Sequence, residues 1–153
     1  MALTRLMRLG IAAGIAAATV GCSDTFAPPE GLDFAAATRS CGPADGPAVV
    51  IYLASERIES LDPSAPFVRV YVDQSLETLA GRSWLLAGVN ANGAAWYYSS
   101  ATEFEVATIG GMRVEKVEED NTIVGLVDLI FPDAGRIRGE FRAVWVPNTV
   151  ICV

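Results

Sequence analysis

The feature that most constrains the fold is a strict alternation of charged and apolar residues near the end of the chain. In the segment 135–146 the charged residues are Arg136, Arg138, Glu140 and Arg142, and the apolar residues between them are Ile137, Phe141, Ala143 and Trp145. A period of two is typical of a β-strand with one face in the core and the other in water. The preceding apolar segment 123–131, broken only by Asp128, predicts a strand nearer the middle of a sheet. The turn sequence Pro132-Asp133-Ala134-Gly135 between them predicts an antiparallel pair.

Similar signals recur through most of the chain. The sequence predicts further strands at 48–58, 67–73, 82–89, 95–99, 102–107, 112–118 and 122–131. Turns are predicted at Asn90–Gly93 and Gly110-Gly111, and the segment 75–81 fits a single helical turn. With about seven strands and no long amphipathic helix, the prediction is one all-β domain over 47–153, an antiparallel sandwich or open barrel.

The first 22 residues form a separate unit, with a basic start and the apolar run Leu9–Val20. Export machineries recognise this pattern, and about twelve apolar residues are fewer than the roughly 20 of a membrane-spanning helix. The sequence Thr19-Val20-Gly21-Cys22 resembles the lipobox of bacterial lipoproteins, although Thr19 stands where Leu is usual. The resemblance implies cleavage before Cys22 and a lipid on Cys22, whereas ordinary secretory cleavage nearby would release a soluble protein. Ser23 in place of Asp implies transport to the outer membrane, by the sorting rule of enterobacterial lipoproteins.

The chain has three cysteines. Once the resemblance assigns Cys22 to lipid, Cys41 and Cys152 are the pair left to form a disulfide in an oxidising compartment. This bond would close a loop of about 110 residues and stabilise the domain by on the order of 4 to 5 kcal/mol. The segment 23–46 is rich in Pro, Gly and Ala without a period, which predicts a flexible tether. The predicted organisation is a leader over 1–21, a lipidated tether over 22–46 and the β domain.

Charge excludes one class of partner. Without residues 1–21 the chain would hold nine basic and eighteen acidic residues. Nucleic-acid binding requires a basic stripe, so no nucleic-acid partner is expected. An acidic surface keeps a secreted domain in solution and attracts basic proteins.

Catalytic signals are few, because the chain contains no histidine. Histidine-dependent triads and histidine metal sites are therefore excluded. Lys116 is a candidate for a Ser-Lys dyad. Glu103 and Glu105 would lie about 7 Å apart on one face of a strand, which makes them candidates for the two carboxylates of a glycosidase. The segment 118–121 clusters three carboxylates that are a candidate weak Ca²⁺ site. Solvated side chains explain each of these patterns better, so no catalytic residue, metal or cofactor is predicted.

Aromatic residues offer another candidate surface. On a strand, Trp96 and Tyr98 point one way and Tyr97 the other, so one set fills the core and the other is partly exposed. A sugar- or peptide-stacking patch around Tyr97 competes with plain core packing as the interpretation.

The predicted function is a non-enzymatic cell-envelope lipoprotein, a small β binding or structural module held at the membrane through Cys22. Its protein or saccharide partner is not identified by the sequence. The alternatives are an inhibitor or scavenger of a basic secreted enzyme and, less favoured, a carboxylate hydrolase using Glu103 and Glu105.

Overall fold

The computed structural model describes residues 27–43, 45–59, 61–150 and 152. The leader and Cys22 lie outside the described residues. The strands are β1 Phe34–Cys41, β2 Pro47–Ala54, β3 Phe67–Val72, β4 Ser83–Leu85, β5 Gly93–Tyr98, β6 Phe104–Val106, β7 Ile109–Val117, β8 Ile123–Phe131 and β9 Gly135–Trp145. A single 3-10 turn, Leu76–Thr78, lies where the sequence predicted a helical turn. The all-β prediction is confirmed, with nine strands in place of about seven.

All nine strands belong to one mixed sheet, in the order β4-β7-β8-β9-β1-β2-β3-β5-β6. Every neighbouring pair is antiparallel except β1 and β9, which are parallel. The sheet curls into a half-barrel. Two consecutive amides connect strands from opposite sides of the sheet order. The Ala107 amide donates to the carbonyl of Ala95 on β5 at 3.0 Å, and the Thr108 amide donates to the carbonyl of Ile130 on β8 at 2.8 Å. No helix in this part of the chain is long and apolar enough to cross a membrane.

The predicted tether is wrong where it covers β1. This strand pairs along its whole length with β2, and Ala35, Ala36 and Ala37 also pair with β9. Ala36, Ala37 and Thr38 are buried. Small side chains are accommodated on either face of a sheet, so an alanine-rich strand shows no apolar alternation and resembles a linker in sequence. The folded domain therefore begins well before residue 47.

The core lies inside the curl, where alternate residues of each strand point. Its members include Val49, Ile51, Leu53, Val68, Val70, Val72, Val114, Ile123, Val127, Leu129, Phe131, Phe141 and Ala143. The alternations predicted for 67–73 and 135–146 are confirmed. In β3 the residues Val68, Val70 and Val72 are buried. In β9 Phe141 and Ala143 are buried, Ile137 and Trp145 pack against the core, and the charged residues lie on the outer face.

Cys41 and Cys152 form a disulfide with their Cα atoms 5.5 Å apart, as predicted. Because β1 and β9 are parallel, their carboxyl ends lie at the same edge of the sheet, where residues 111 positions apart can meet. The segment after β9 is also held by hydrogen bonds, from the Thr38 hydroxyl to the carbonyl of Val146 at 2.8 Å and from Asn148 Nδ2 to that of Arg39 at 3.2 Å. The disulfide thus fastens the last residues of the chain to the centre of the sheet.

Gly110 and Gly111 lie within β7 and do not form the predicted turn. Gly110 has φ of 122°, a conformation that glycine adopts without strain. A Cβ on Gly111 would clash with the carbonyl oxygen of Trp84 on β4. The two glycines therefore allow a bent strand and a close neighbour. The predicted strand over 82–89 shortens to the three residues of β4.

Candidate functional site

Glu103, just before β6, and Glu105, on β6, both have partners within the domain. The carboxylate of Glu105 accepts hydrogen bonds from the backbone amides of Asp133 and Ala134, both at 2.8 Å. It thereby holds the β8–β9 turn against β6. Glu103 extends to the Ser99 hydroxyl, 3.5 Å away at the adjacent strand end. This geometry gives Glu105 a structural role and does not set the two carboxylates across a cleft.

Lys116 and the acidic turn form a surface network of ion pairs. Lys116 Nζ lies 2.9 Å from Glu118, and Arg142 contacts the same carboxylate. The hydrogen bonds from Lys116 and then Arg142 lower the pKa of Glu118 below its ordinary value of 4.5. The Asp120 carboxylate accepts the Thr122 amide at 3.0 Å, which lowers the pKa of Asp120. Within the described ranges, no three side chains of Asp, Glu or Cys are grouped as metal ligands.

A row of four aromatic rings crosses the outer face of β2, β3, β5 and β6. Its members, which we call the aromatic face, are Tyr52, Phe67, Tyr98 and Phe104. Centroids of successive rings are 6.1, 4.5 and 5.5 Å apart, and the middle pair is stacked at an interplanar angle of 11°. Register produces the row, because Phe67 pairs with Tyr98 and Tyr98 with Phe104, and paired residues share a face.

Trp96 also lies on this outer face, with the guanidinium carbon of Arg69 5.5 Å from its ring centroid. Tyr97 points the opposite way, and its ring lies 5.9 Å from that of Phe131 in the core. The exposed aromatic set is thus that of Trp96 and Tyr98. The patch considered around Tyr97 is replaced by the surface on the other side of the same strand.

A cleft of about 400 Å³ adjoins the aromatic face, bounded by the β2–β3 loop. Tyr52, Asp62, Arg69 and Tyr98 are among the residues that line it. Arg69 Nε is buried and has no hydrogen-bond partner within the described chain. Burial raises the pKa of Tyr52 above 10.0, against the opposing effect of Arg69, so its phenol keeps a proton to donate at neutral pH. The cleft therefore combines ring faces with hydrogen-bonding groups.

A second concave surface, of about 520 Å³, lies on the outer face of β4, β7, β8 and β9. We call it the arginine groove and define it by Leu85, Ile109, Gly111, Arg113, Leu126, Asp128, Ile130, Arg136 and Arg138. Its apolar walls are open to solvent, with Leu85 56% and Ile109 63% exposed. Arg136 donates to both carboxylate oxygens of Asp128, at 2.8 and 2.6 Å.

The sequence singled out Trp96 and Tyr98 but not Tyr52, Phe67 or Phe104. The row exists because four strands are aligned in a particular register, and three of those residues stand alone in their own segments. The alternation in β9 revealed arginines on one face, but the apolar wall beside them comes from three other strands.

No protein-family model matches the chain, and neither a curated protein nor a solved structure matches it.

Proposed function

We propose that this protein is a non-enzymatic binding module of the bacterial cell envelope, displayed at the membrane through a lipid on Cys22, and that its aromatic face binds a saccharide. The observation that carries the proposal is the row of four rings beside a cleft lined with polar groups. The export leader and the lipobox resemblance at Thr19–Cys22 support the location. The Cys41–Cys152 disulfide fits an oxidising compartment.

The chemistry of a sugar ring matches this surface. A pyranose presents C–H groups on its faces, and these partly positive hydrogens pack against the negative face of an aromatic ring. Four adjacent strands at about 4.8 Å spacing give a row about 14 Å long. Phe67 is buried and stacks on Tyr98, so the accessible part of the row is the exposed ring of Phe104 together with the partly exposed rings of Tyr98 and Tyr52. Accessible rings spread along a row of this length suit an extended oligosaccharide better than a single sugar.

The cleft supplies the polar half of recognition. Sugar hydroxyls both donate and accept hydrogen bonds, so a site for them needs both kinds of partner. Asp62 offers acceptors, while Arg69 and the Tyr52 phenol offer donors, and all three line the same cleft. A few polar groups set among aromatic side chains are the usual composition of a small-molecule site.

A basic protein partner is the alternative drawn from the net charge of −7. Such a partner would bind through free carboxylates. Three carboxylates of the described domain are already engaged, since Glu105 holds a turn and Glu118 and Asp128 pair with arginines. The aromatic face beside a polar cleft is the feature that favours the saccharide, since the residues that the structure describes hold no comparable cluster of free carboxylates.

The saccharide proposal is tested by titrating the chain from residue 22 onward, with Cys22→Ser, against cellopentaose, maltopentaose and chitopentaose. This chain contains every element of the described fold. We expect saturable binding of at least one pentasaccharide by calorimetry, with a change in the intrinsic tryptophan fluorescence. Phe104→Ala, which removes an exposed ring, should weaken binding about tenfold, an effect of about 1.4 kcal/mol.

The matched control is Ile109→Ala, which removes an equally exposed apolar side chain from the other surface. It should leave saccharide affinity unchanged. Tyr98→Phe separates stacking from hydrogen bonding, because it keeps the ring and removes the hydroxyl. The saccharide proposal is wrong if none of the three sugars binds, or if Phe104→Ala and Ile109→Ala have equal effects.

The anchor is tested separately in cells. Cys22→Ser should move the protein from the membrane fraction to the soluble fraction and abolish its metabolic labelling with a fatty acid. Continued labelling of the Cys22→Ser protein would contradict a lipid at this position.

A further inference from the structure

We infer that the arginine groove is a second binding site, for an amphiphile with a single alkyl chain that ends in an anionic group. The groove lies on β4, β7, β8 and β9, and the aromatic face lies on β2, β3, β5 and β6. In a curled sheet these two sets of strands form different walls. The inference is therefore independent of the saccharide and of the lipid on Cys22.

The register of the sheet builds the groove around a position without a side chain. Gly111 pairs with Leu85 on one side and with Asp128 on the other. A Cβ at Gly111 would clash with the Trp84 carbonyl, so only glycine allows β4 and β7 to approach this closely. Because Gly111 has no side chain, the surface is depressed at this position, and side chains of the neighbouring strands surround the depression. We call the depression the floor of the groove.

Apolar side chains flank this floor and face solvent. Ile109 pairs with Ile130 across β7 and β8, and Leu85 projects from β4 on the same face. Leu85 and Ile109 are more than half exposed. An exposed apolar surface in a concave site is typical of a place where an alkyl chain leaves water.

Positive charge lies directly beside the apolar walls. Arg136 is engaged by Asp128, whereas Arg138 has only a long contact of 3.9 Å with that carboxylate and is 70% exposed. Arg113 has no ion pair within the described chain, and it also lines the groove. Three arginines and one carboxylate give the groove a net positive charge on a chain whose total is −7.

This local charge determines which head group fits. Charges farther away than about 8 Å are largely screened at physiological ionic strength, so an anion in the groove responds to the arginines more than to the acidic remainder. Guanidinium groups bind carboxylates and phosphates through paired hydrogen bonds. A fatty-acid carboxylate and an alkyl phosphate share this chemistry, and the two probes below distinguish them.

The test uses the chain from residue 22 with Cys22→Ser, titrated with laurate, dodecyl phosphate and octaethylene glycol monododecyl ether, a neutral probe that has the same alkyl chain and no sugar. All three are kept below their critical micelle concentrations. Calorimetry measures affinity, and methyl NMR shifts of Leu85 and Ile109 report the location. We expect one molecule of laurate or dodecyl phosphate to bind per chain, with the tighter of the two identifying the preferred head group. The neutral ether should bind at least tenfold more weakly.

Two variants test whether the probes bind in the arginine groove. Removing the charges of the two arginines that do not form the close pair with Asp128, with Arg113→Gln and Arg138→Gln, should weaken binding of the anionic probes by about tenfold or more and leave binding of the neutral ether unchanged. Both side chains are exposed, so the variant is expected to unfold at the same temperature as the parent. Phe104→Ala is the control on the aromatic face and should bind laurate normally.

The inference is overturned if the neutral ether binds as tightly as the anions, if binding occurs only near the micelle concentration, or if the double arginine variant retains full affinity. Because the saccharide titration uses different probes and Phe104→Ala, either proposal can fail while the other stands.

Discussion

Replacing Glu105 tests whether this carboxylate holds the fold together or is a free group. Its two oxygens accept the amides of Asp133 and Ala134 at 2.8 Å each. Hydrogen bonds to a charged acceptor contribute about 1.5 to 3 kcal/mol. Since Glu105 lies partly in solvent, we take about 1 kcal/mol for each bond. Glu105→Ala should therefore lower the free energy of unfolding by about 2 kcal/mol, a large part of the 5 to 15 kcal/mol typical of a domain.

Urea denaturation measures this loss, which corresponds to a midpoint about 1 M lower at an m-value of about 2 kcal/mol per molar. Glu105→Gln keeps one acceptor oxygen and should lose about half as much. Glu103→Ala is the matched control on the same strand face, and its expected loss is below about 0.5 kcal/mol because its side chain makes only the 3.5 Å contact with Ser99. If Glu105→Ala and Glu103→Ala are equally stable, the structural role assigned to Glu105 is incorrect.

Three further predictions concern stability. Replacing Cys41 and Cys152 with serine should lower the free energy of unfolding by up to about 4.7 kcal/mol, since the bond closes a loop spanning 111 positions; a loss below 1 kcal/mol in urea denaturation would contradict the chain-entropy argument. Because the pKa of Glu118 is lowered in the folded protein, its contribution is present above 4.5 and is lost as the pH falls through the lower folded value. Thermal midpoints of Glu118→Gln and the parent should therefore differ at pH 7 and converge in acid, and a constant difference would refute this linkage. Gly111→Ala should lower the thermal midpoint by forcing β4 away, whereas Gly46→Ala, whose Cβ would have only an ordinary contact at 3.9 Å, should have little effect; equal effects would contradict the close approach described for β7.

The sequence predicted those strands whose two faces differ in polarity. The last strand is the clearest case, because Arg136, Arg138 and Arg142 alternate with core residues and the observed bounds differ from the predicted ones by a single residue. The alanine-rich β1 was missed because its residues are small on both faces, and its parallel pairing with β9 is a long-range contact that leaves no local signal.

The charged stretch in β7 shows a different limit. Its pairing register shifts between Val114 and Lys116, so Glu115 is an inserted residue and both Glu115 and Lys116 face solvent. A strict period of two cannot accommodate this bulge, so alternation alone does not predict that Glu115 and Lys116 both face solvent. Both candidate binding surfaces likewise depend on the pairing register, which the sequence pattern does not give. They are assembled from single residues of four strands, and only the register of the sheet brings those residues together.

The position of β1 determines how the domain responds to mechanical load. A lipid on Cys22 would transmit any pull from the membrane through Ala27 into β1, which lies between β9 and β2 in the interior of the sheet order. A central strand pulled along its axis must shear the hydrogen bonds of both neighbours at once, whereas an edge strand peels away one bond at a time. Forced unfolding is governed by the unfolding rate, and a shear geometry of this kind slows it. Load arriving through Cys22 would therefore enter the sheet at the β1–β2 and β1–β9 pairs, away from its edge strands β4 and β6.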